Sequence, residues 1–239
     1  MSHSDDPLAF LTGAAMNTPR PLAVGQKFTA DGAVLPCPGN TTLCHVDPSS
    51  PAHASLTRAQ MALQAGPHAN AFTFLPLASF HMTVFEGVIE TARHPEAWPQ
   101  HLPTDMPIAD VTADLLPRLQ SAALPERLVV RPTQIFGGFG LTLTGATEAD
   151  EETLREARDD IATATGIDRP NHDGYRFHIT MAYLLRWLTP EEAAAVIALS
   201  AETFVTLLSE MPMLTLGPIE FCTFETMHHF EPIAHLGSA

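Results

Sequence analysis

Phe80-His81-Met82-Thr83-Val84 and, 97 residues later, Phe177-His178-Ile179-Thr180-Met181 are one pattern written twice. Each reads apolar-His-apolar-Thr-apolar. In a strand, alternate side chains point to opposite faces, so His and Thr two apart share a face while their apolar neighbours face a core. Each segment therefore presents one imidazole and one hydroxyl on one side. With 12 His in 239 residues and about 25 Thr, chance gives about one His-x-Thr, and the full apolar frame reduces that to ~0.1. The chain has two, both framed. Their separation is too long for a solenoid repeat and suits two halves of one duplicated fold.

Outward from these strands the chain alternates. Residues 1–23 read as an N-terminal arm whose Leu8–Leu11 patch docks as a short helix. Val24–Val34 reads as a hairpin turning at Asp31-Gly32. Thr41–Val46 reads as a strand carrying His45, and Ser55–Ala65 as a helix capped by Ser55. Phe72–Pro76 and Phe80–Val88 are strands, 91–110 a long surface excursion, and Val111–Leu124 a helix interrupted at Pro117. Arg127–Gln134 and Phe139–Thr144 pair through Gly137-Gly138. Thr147 caps a helix to Thr165 that Gly166 stops, and Thr189-Pro190 opens another to Glu210. The second motif strand runs from Tyr175 to Leu185, and strands at Leu214–Leu216 and Ile219–Phe224 close the fold before a tail at 227–239. This order predicts an α+β fold, with residues 24–226 forming one bilobal domain. Its two pseudo-symmetric lobes each hold a mostly antiparallel sheet with packed helices, about a central groove. No dinucleotide or P-loop fingerprint is present.

The net charge of −15, with only 12 Lys and Arg, argues against a surface for long nucleic acid, whose binding rests on phosphate neutralisation. The expected partner is a small nucleotide or an RNA terminus, with no membrane. Cys37, Cys44 and Cys222 are odd in number and widely spaced, so reduced core thiols of a cytoplasmic protein are expected rather than disulfides or zinc ligands. His94 and His101 have no Cys or carboxylate at ligand spacing, and no metal or other cofactor is expected.

The paired motifs resemble the signature tetrads of the 2H phosphoesterase superfamily. That group includes bacterial 2′-5′ RNA ligase-like proteins, cyclic phosphodiesterases of tRNA splicing, and a nucleotide-binding domain of an A-kinase anchoring protein. Gly39-Asn40-Thr41-Thr42-Leu43-Cys44-His45 resembles a stretch of its poorly characterised bacterial and fungal branch. The resemblance implies a pseudo-twofold fold and a metal-independent site in the groove. It makes His81 and His178 the catalytic histidines, with Thr83 and Thr180 orienting the phosphate. Many ligase-type relatives carry Arg where this chain has Tyr183; Arg176, on the face of His178, is the candidate to supply that charge. His45 and Lys27 are further candidate substrate contacts, and Tyr175 and Trp187 are candidates to stack on a base.

Two imidazoles can act as base and acid near neutral pH, and hydroxyls can hold the non-bridging oxygens. The expected activity is hydrolysis of a 2′,3′- or 1″,2″-cyclic phosphate or a 2′,5′-linked nucleotide. The alternative is a binding module that takes an AMP-like nucleotide in the same cleft and turns nothing over.

Overall fold

Strand alternation around the two motifs sets the layers of the molecule. The computed structural model describes residues 6–14, 16 and 18–237. In chain order the elements are α1 (Pro7–Leu11), β1 (Gly39–His45), α2 (Pro51–Gln64), β2 (Phe72–Phe74), β3 (His81–Ile89), α3 (Ile108–Gln120), β4 (Leu128–Phe136) and β5 (Gly140–Gly145). They continue with α4 (Glu148–Thr165), β6 (His178–Thr180), β7 (Ala182–Leu184), α5 (Pro190–Glu210), β8 (Leu214–Leu216), β9 (Glu220–Thr226) and β10 (His229–His235). Eight strands form one antiparallel sheet in the order β10-β9-β1-β3-β6-β5-β4-β8, and β2 pairs with β7 in a second, small sheet. The fold is α+β. Its two halves are the flanks of a single continuous sheet, joined where Met82 of β3 pairs with Ile179 of β6.

Met82, Val84, Ile179, Leu141 and Leu143 bury the core face of this sheet together with Val111 and Leu115 of α3 and Leu154 and Ile161 of α4. Asn40, fully buried, ties the layers together. Its Oδ1 accepts from Val88 N at 3.0 Å and its Nδ2 donates to Thr112 Oγ1 at 2.9 Å, fastening β1 to β3 and α3. Gly87 makes this possible, because a Cβ there would stand 2.1 Å from Asn40 Oδ1.

The ends of α4 and α5 follow their sequence signals. Thr147 with Asp150 and Thr189 with Glu192 each close a capping box, and Gly166 takes the left-handed conformation after α4. Gly137 and Gly138 both have positive φ, 57° and 77°, as the tight β4–β5 turn requires. α5 has 21 residues, and an 18-residue stretch of it has a mean hydropathy of 1.5, long and apolar enough by those measures to cross a bilayer. No such run is expected from the sequence. In the fold α5 packs against α1, α2 and β4.

Several expectations need correction. The 24–34 segment forms isolated bridges at Val24–Phe28 and Phe28–Val34 rather than a hairpin, because it winds around the fully buried Phe28. Asp31-Gly32 still lies in a turn, with Gly32 N donating to Thr29 O. α2 begins a turn early: Pro51 takes the first position and Ser50, not Ser55, accepts from His53 N. The second motif strand breaks at Met181, whose N–H donates to Phe139 O while its carbonyl accepts from Gln60 Nε2 and Leu75 N. β6 stays in the main sheet and β7 leaves it for β2. The 91–110 excursion is fastened down, with Trp98 buried and donating to Pro103 O, and Arg93 donating to Thr104 O and Met106 O. The presumed tail is β10, an edge strand paired with β9. Residues 1–5 of the arm and 238–239 of the tail lie outside the described residues.

Candidate active site

β3 and β6 are antiparallel neighbours, and the Met82–Ile179 pair fixes their register. One step either side, His81 comes opposite Thr180 and Thr83 opposite His178. Met82 and Ile179 themselves are fully buried, so the four polar side chains share the other face. Residues directly opposite stand ~5 Å apart at Cβ and diagonal ones about 7–8 Å, so the two imidazoles span a gap of phosphoryl size.

Both histidines are held the same way. His81 Nδ1–H donates to Ser79 O at 2.7 Å, and His178 Nδ1–H donates to Arg176 O at 2.8 Å. A carbonyl only accepts, so in each neutral ring Nδ1 carries the proton and Nε2 keeps its lone pair. In both halves the anchor is the carbonyl two residues upstream.

Their surroundings differ. The Phe230 ring of β10 lies 4.3 Å from the His81 ring, centroid to centroid. Burial pushes the His81 pKa down to about 4; the Ser79 carbonyl opposes this, and the His45 and His178 imidazoles add to it. His45 of β1 is the cross-strand partner of His81, with ring centroids 6.1 Å apart, and its Nδ1 bonds the Glu220 carboxylate. On the other flank Thr142 of β5 stands opposite His178, and its hydroxyl pairs with that of Thr133 at 2.7 Å. Gly140 stands opposite Thr180, and no described atom lies within 4 Å of where a Cβ would be.

The other sequence candidates divide. Arg176 lies two residues before His178, half-buried, and lends its carbonyl to the anchor. Lys27 Nζ stands 5.2 Å from the centroid of the Tyr183 ring, which packs with Phe28, Met227 and Phe230 in the apolar cluster flanking His81. Tyr175 is a correction. It is buried on the helix-covered face, with the Arg158 guanidinium 3.7 Å from its ring centroid, and burial raises its pKa. It packs in the core and has no open face for a base. Trp187 instead anchors the arm, donating from Nε1 to Thr18 O at 3.0 Å. Sequence reading missed Glu220 and Phe230. Neither sits in a motif, and only the β9 and β10 registers bring them to the site.

His45, Glu220 and Cys222 bring three donor atoms within 4.8 Å of one another. In the structure the His45 Nδ1 proton is engaged by Glu220, and burial raises the Cys222 pKa, which keeps the thiol protonated. The trio is thus a hydrogen-bonded His45–Glu220 pair with a protonated thiol beside it. Cys37 and Cys44 are buried free thiols as well. A depression of about 360 Å³ on the 167–174 loop, lined by Arg169 and His172, contains none of the motif residues.

The family model described as 2H-phosphodiest, a domain of unknown function (DUF1868), matches residues 27–136. No curated protein matches the chain. Among solved structures, the conserved protein of unknown function ATU0111 from Agrobacterium tumefaciens is 35% identical, with a TM-score of 0.90 over 98% of this chain and 99% of that one. E. coli LigT complexed with NADP+ is 10% identical, with a TM-score of 0.42 over 84% of this chain and 99% of that one.

Proposed function

The chain belongs to the 2H phosphoesterase superfamily, and from that premise we propose that it is a phosphodiesterase working by histidine acid–base catalysis. Its substrate would be a 2′,3′- or 1″,2″-cyclic phosphate or a 2′,5′-linked nucleotide, and its reaction hydrolysis. The observation that carries this reading is the matched anchoring of the two imidazoles. Both Nδ1–H groups are spent on upstream carbonyls, so both Nε2 atoms are left for chemistry on the face they share with two hydroxyls.

The mechanism follows from that placement. Water attacks phosphorus as His81, neutral at pH 7 because burial disfavours its charged form, takes a water proton at Nε2. The bond from phosphorus to the leaving oxygen breaks as His178, protonated at Nε2, gives that oxygen its proton. The Thr83 and Thr180 hydroxyls donate to the non-bridging oxygens, where charge accumulates. Arg176, two residues before His178, and Lys27, beside Tyr183, are the cations that would add positive potential. Nothing in these steps calls for a metal ion.

The test is turnover of a panel of cyclic nucleotides and 2′,5′-linked dinucleotides in the presence of EDTA. His81→Ala and His178→Ala should each lower kcat about 10²–10⁴-fold while the fold is kept. Equal turnover by wild type and the double variant would remove the catalytic assignment. AMP-like nucleotides bound without turnover by the wild type would replace the enzyme with a binding module.

A further inference from the structure

The pseudo-twofold axis between Met82 and Ile179 relates two flanks that are not chemically alike. Next to His81 on the site face stands His45; next to His178, in the matching place, stands Thr142. Next to Thr83 stand Leu43 and then Glu220; next to Thr180 stand Gly140 and then Phe136. One flank therefore carries a third imidazole and a carboxylate, and the other has neither.

The third imidazole is fixed like the first two, by a different acceptor. The Glu220 carboxylate accepts a hydrogen bond from His45 Nδ1–H, and their side chains are 24% and 14% exposed. Glu220's second oxygen faces His235 Nδ1 of β10 at 3.6 Å, and the Cys222 thiol lies beside the pair. β1 runs between β9 and β3, so with Nδ1 turned to β9 the ring leaves Nε2 on the His81 side. The 6.1 Å between the His45 and His81 ring centroids is a span that one water, hydrogen-bonded to a nitrogen of each ring, can fill.

We propose that the Glu220–His45 pair positions the attacking water, which donates one hydrogen to His45 Nε2 and the other to His81 Nε2. The oxygen then presents a lone pair to phosphorus from the His81 side. This inference rests on the phosphodiesterase reading and sharpens it. It commits the reaction to hydrolysis, makes His81 the base and leaves the acid's place to His178. The water's oxygen bonds to phosphorus, His81 takes its proton, and the electron pair of the broken P–O bond leaves on the ribose oxygen that His178 protonates. His45 keeps its own Nδ1 proton and only accepts a hydrogen bond. Phe230, packed on the His81 ring, closes the approach of bulk water behind it.

The experiment compares wild type, His45→Ala, His45→Gln, Glu220→Ala and Glu220→Gln on whichever cyclic phosphate the wild type hydrolyses, with and without added methanol. The His45 variants should lose 10- to 100-fold in kcat with KM changed less than threefold, since water and not substrate has lost a partner. They should also form a larger share of methyl ester than wild type, because methanol has one O–H and competes poorly for a site that wants two. Glu220→Gln, whose amide oxygen still accepts the Nδ1 proton, should retain at least a third of wild-type kcat, and Glu220→Ala should not. Wild-type kcat and methanol partition in both His45 variants would overturn the water-holding role while leaving the phosphodiesterase reading standing. A rise in KM with kcat unchanged would overturn it in favour of a substrate contact. A wild type that hydrolyses no member of the panel would overturn both readings.

Discussion

At His81 the folded environment and the unfolded chain compete for a proton. In the unfolded chain an imidazole takes up its proton below about pH 6.5, whereas the folded site holds His81 down to about 4. Between those values the unfolded state binds more protons, so folding stability falls as pH drops through the window and levels off below it. The open edge of the ring screens part of the effect, which leaves a loss of order 1–3 kcal/mol. Urea unfolding at pH 7 and pH 4.5 measures it: His81→Gln should lose that much less stability on acidification than wild type, since other groups contribute equally to both. An equal acid loss in the two proteins would mean that His81 titrates normally. The four motif residues were readable from sequence because period-two alternation alone puts His81 with Thr83 and His178 with Thr180. Tyr175 lies before β6 begins, and its ring is buried under Arg158 with its centroid 6.1 Å from that of the His178 ring. What alternation cannot supply is the neighbour across the sheet. His45 could be named as a candidate, but its partner Glu220 becomes visible only through the β1–β9 register.

Among the elements, β10 is the one the sequence hid, and it forms one wall of the site. Its residues His229–His235 carry Pro232, which removes a ladder donor and is tolerated because β10 is an edge strand. With most of its side chains exposed, the strand shows no clean apolar alternation. By contrast, the capping boxes of α4 and α5 announce themselves within four residues, and those helices begin where Thr147 and Thr189 predict. Phe230 is the side chain through which β10 matters, buried against Phe224 at 5.1 Å and His81 at 4.3 Å between ring centroids. Phe230→Ala should cost about 3 kcal/mol in unfolding free energy from lost burial and the cavity left behind. It should also admit water to His81 and raise its pKa toward the ordinary histidine range, seen as an upward move of the acidic limb of the pH–rate profile. A stable Phe230→Ala protein with an unmoved limb would mean that β10 is only an edge cover.

The whole molecule sets what can reach the sheet face that carries His81 and His178. Net charge is −15, and much of the basic complement is committed within the chain. Arg58 pairs with Glu210, Arg93 with Glu90, Arg118 with Asp114, Arg155 with Glu151, Arg158 with Glu86 and Arg186 with Glu192. Arg169 spends its guanidinium on the carbonyls of Glu86 and Gly87. Arg118–Asp114 and Arg155–Glu151 lie within one helix each, Arg58–Glu210 joins α2 to α5, and Arg158–Glu86 joins α4 to β3, so these cations are paired off on separate elements and do not line a polyanion track. A long nucleic acid would bring many phosphates toward an acidic surface for the sake of one that fits between His81 and His178. A protein that neutralises 6–10 phosphates loses about 10³–10⁵ in affinity between 50 and 200 mM salt. Here a single phosphoryl group meets a few local side chains, the two motif imidazoles and two hydroxyls. The logarithm of kcat/KM for a small cyclic phosphate should therefore fall with the logarithm of salt at a slope no steeper than about −1. Homopolymer RNA should show no saturable binding even at low salt, by filter retention or fluorescence anisotropy. A slope of −4 or steeper, or tight RNA binding that salt abolishes, would mean that a basic track forms on this surface and that the substrate is a long strand.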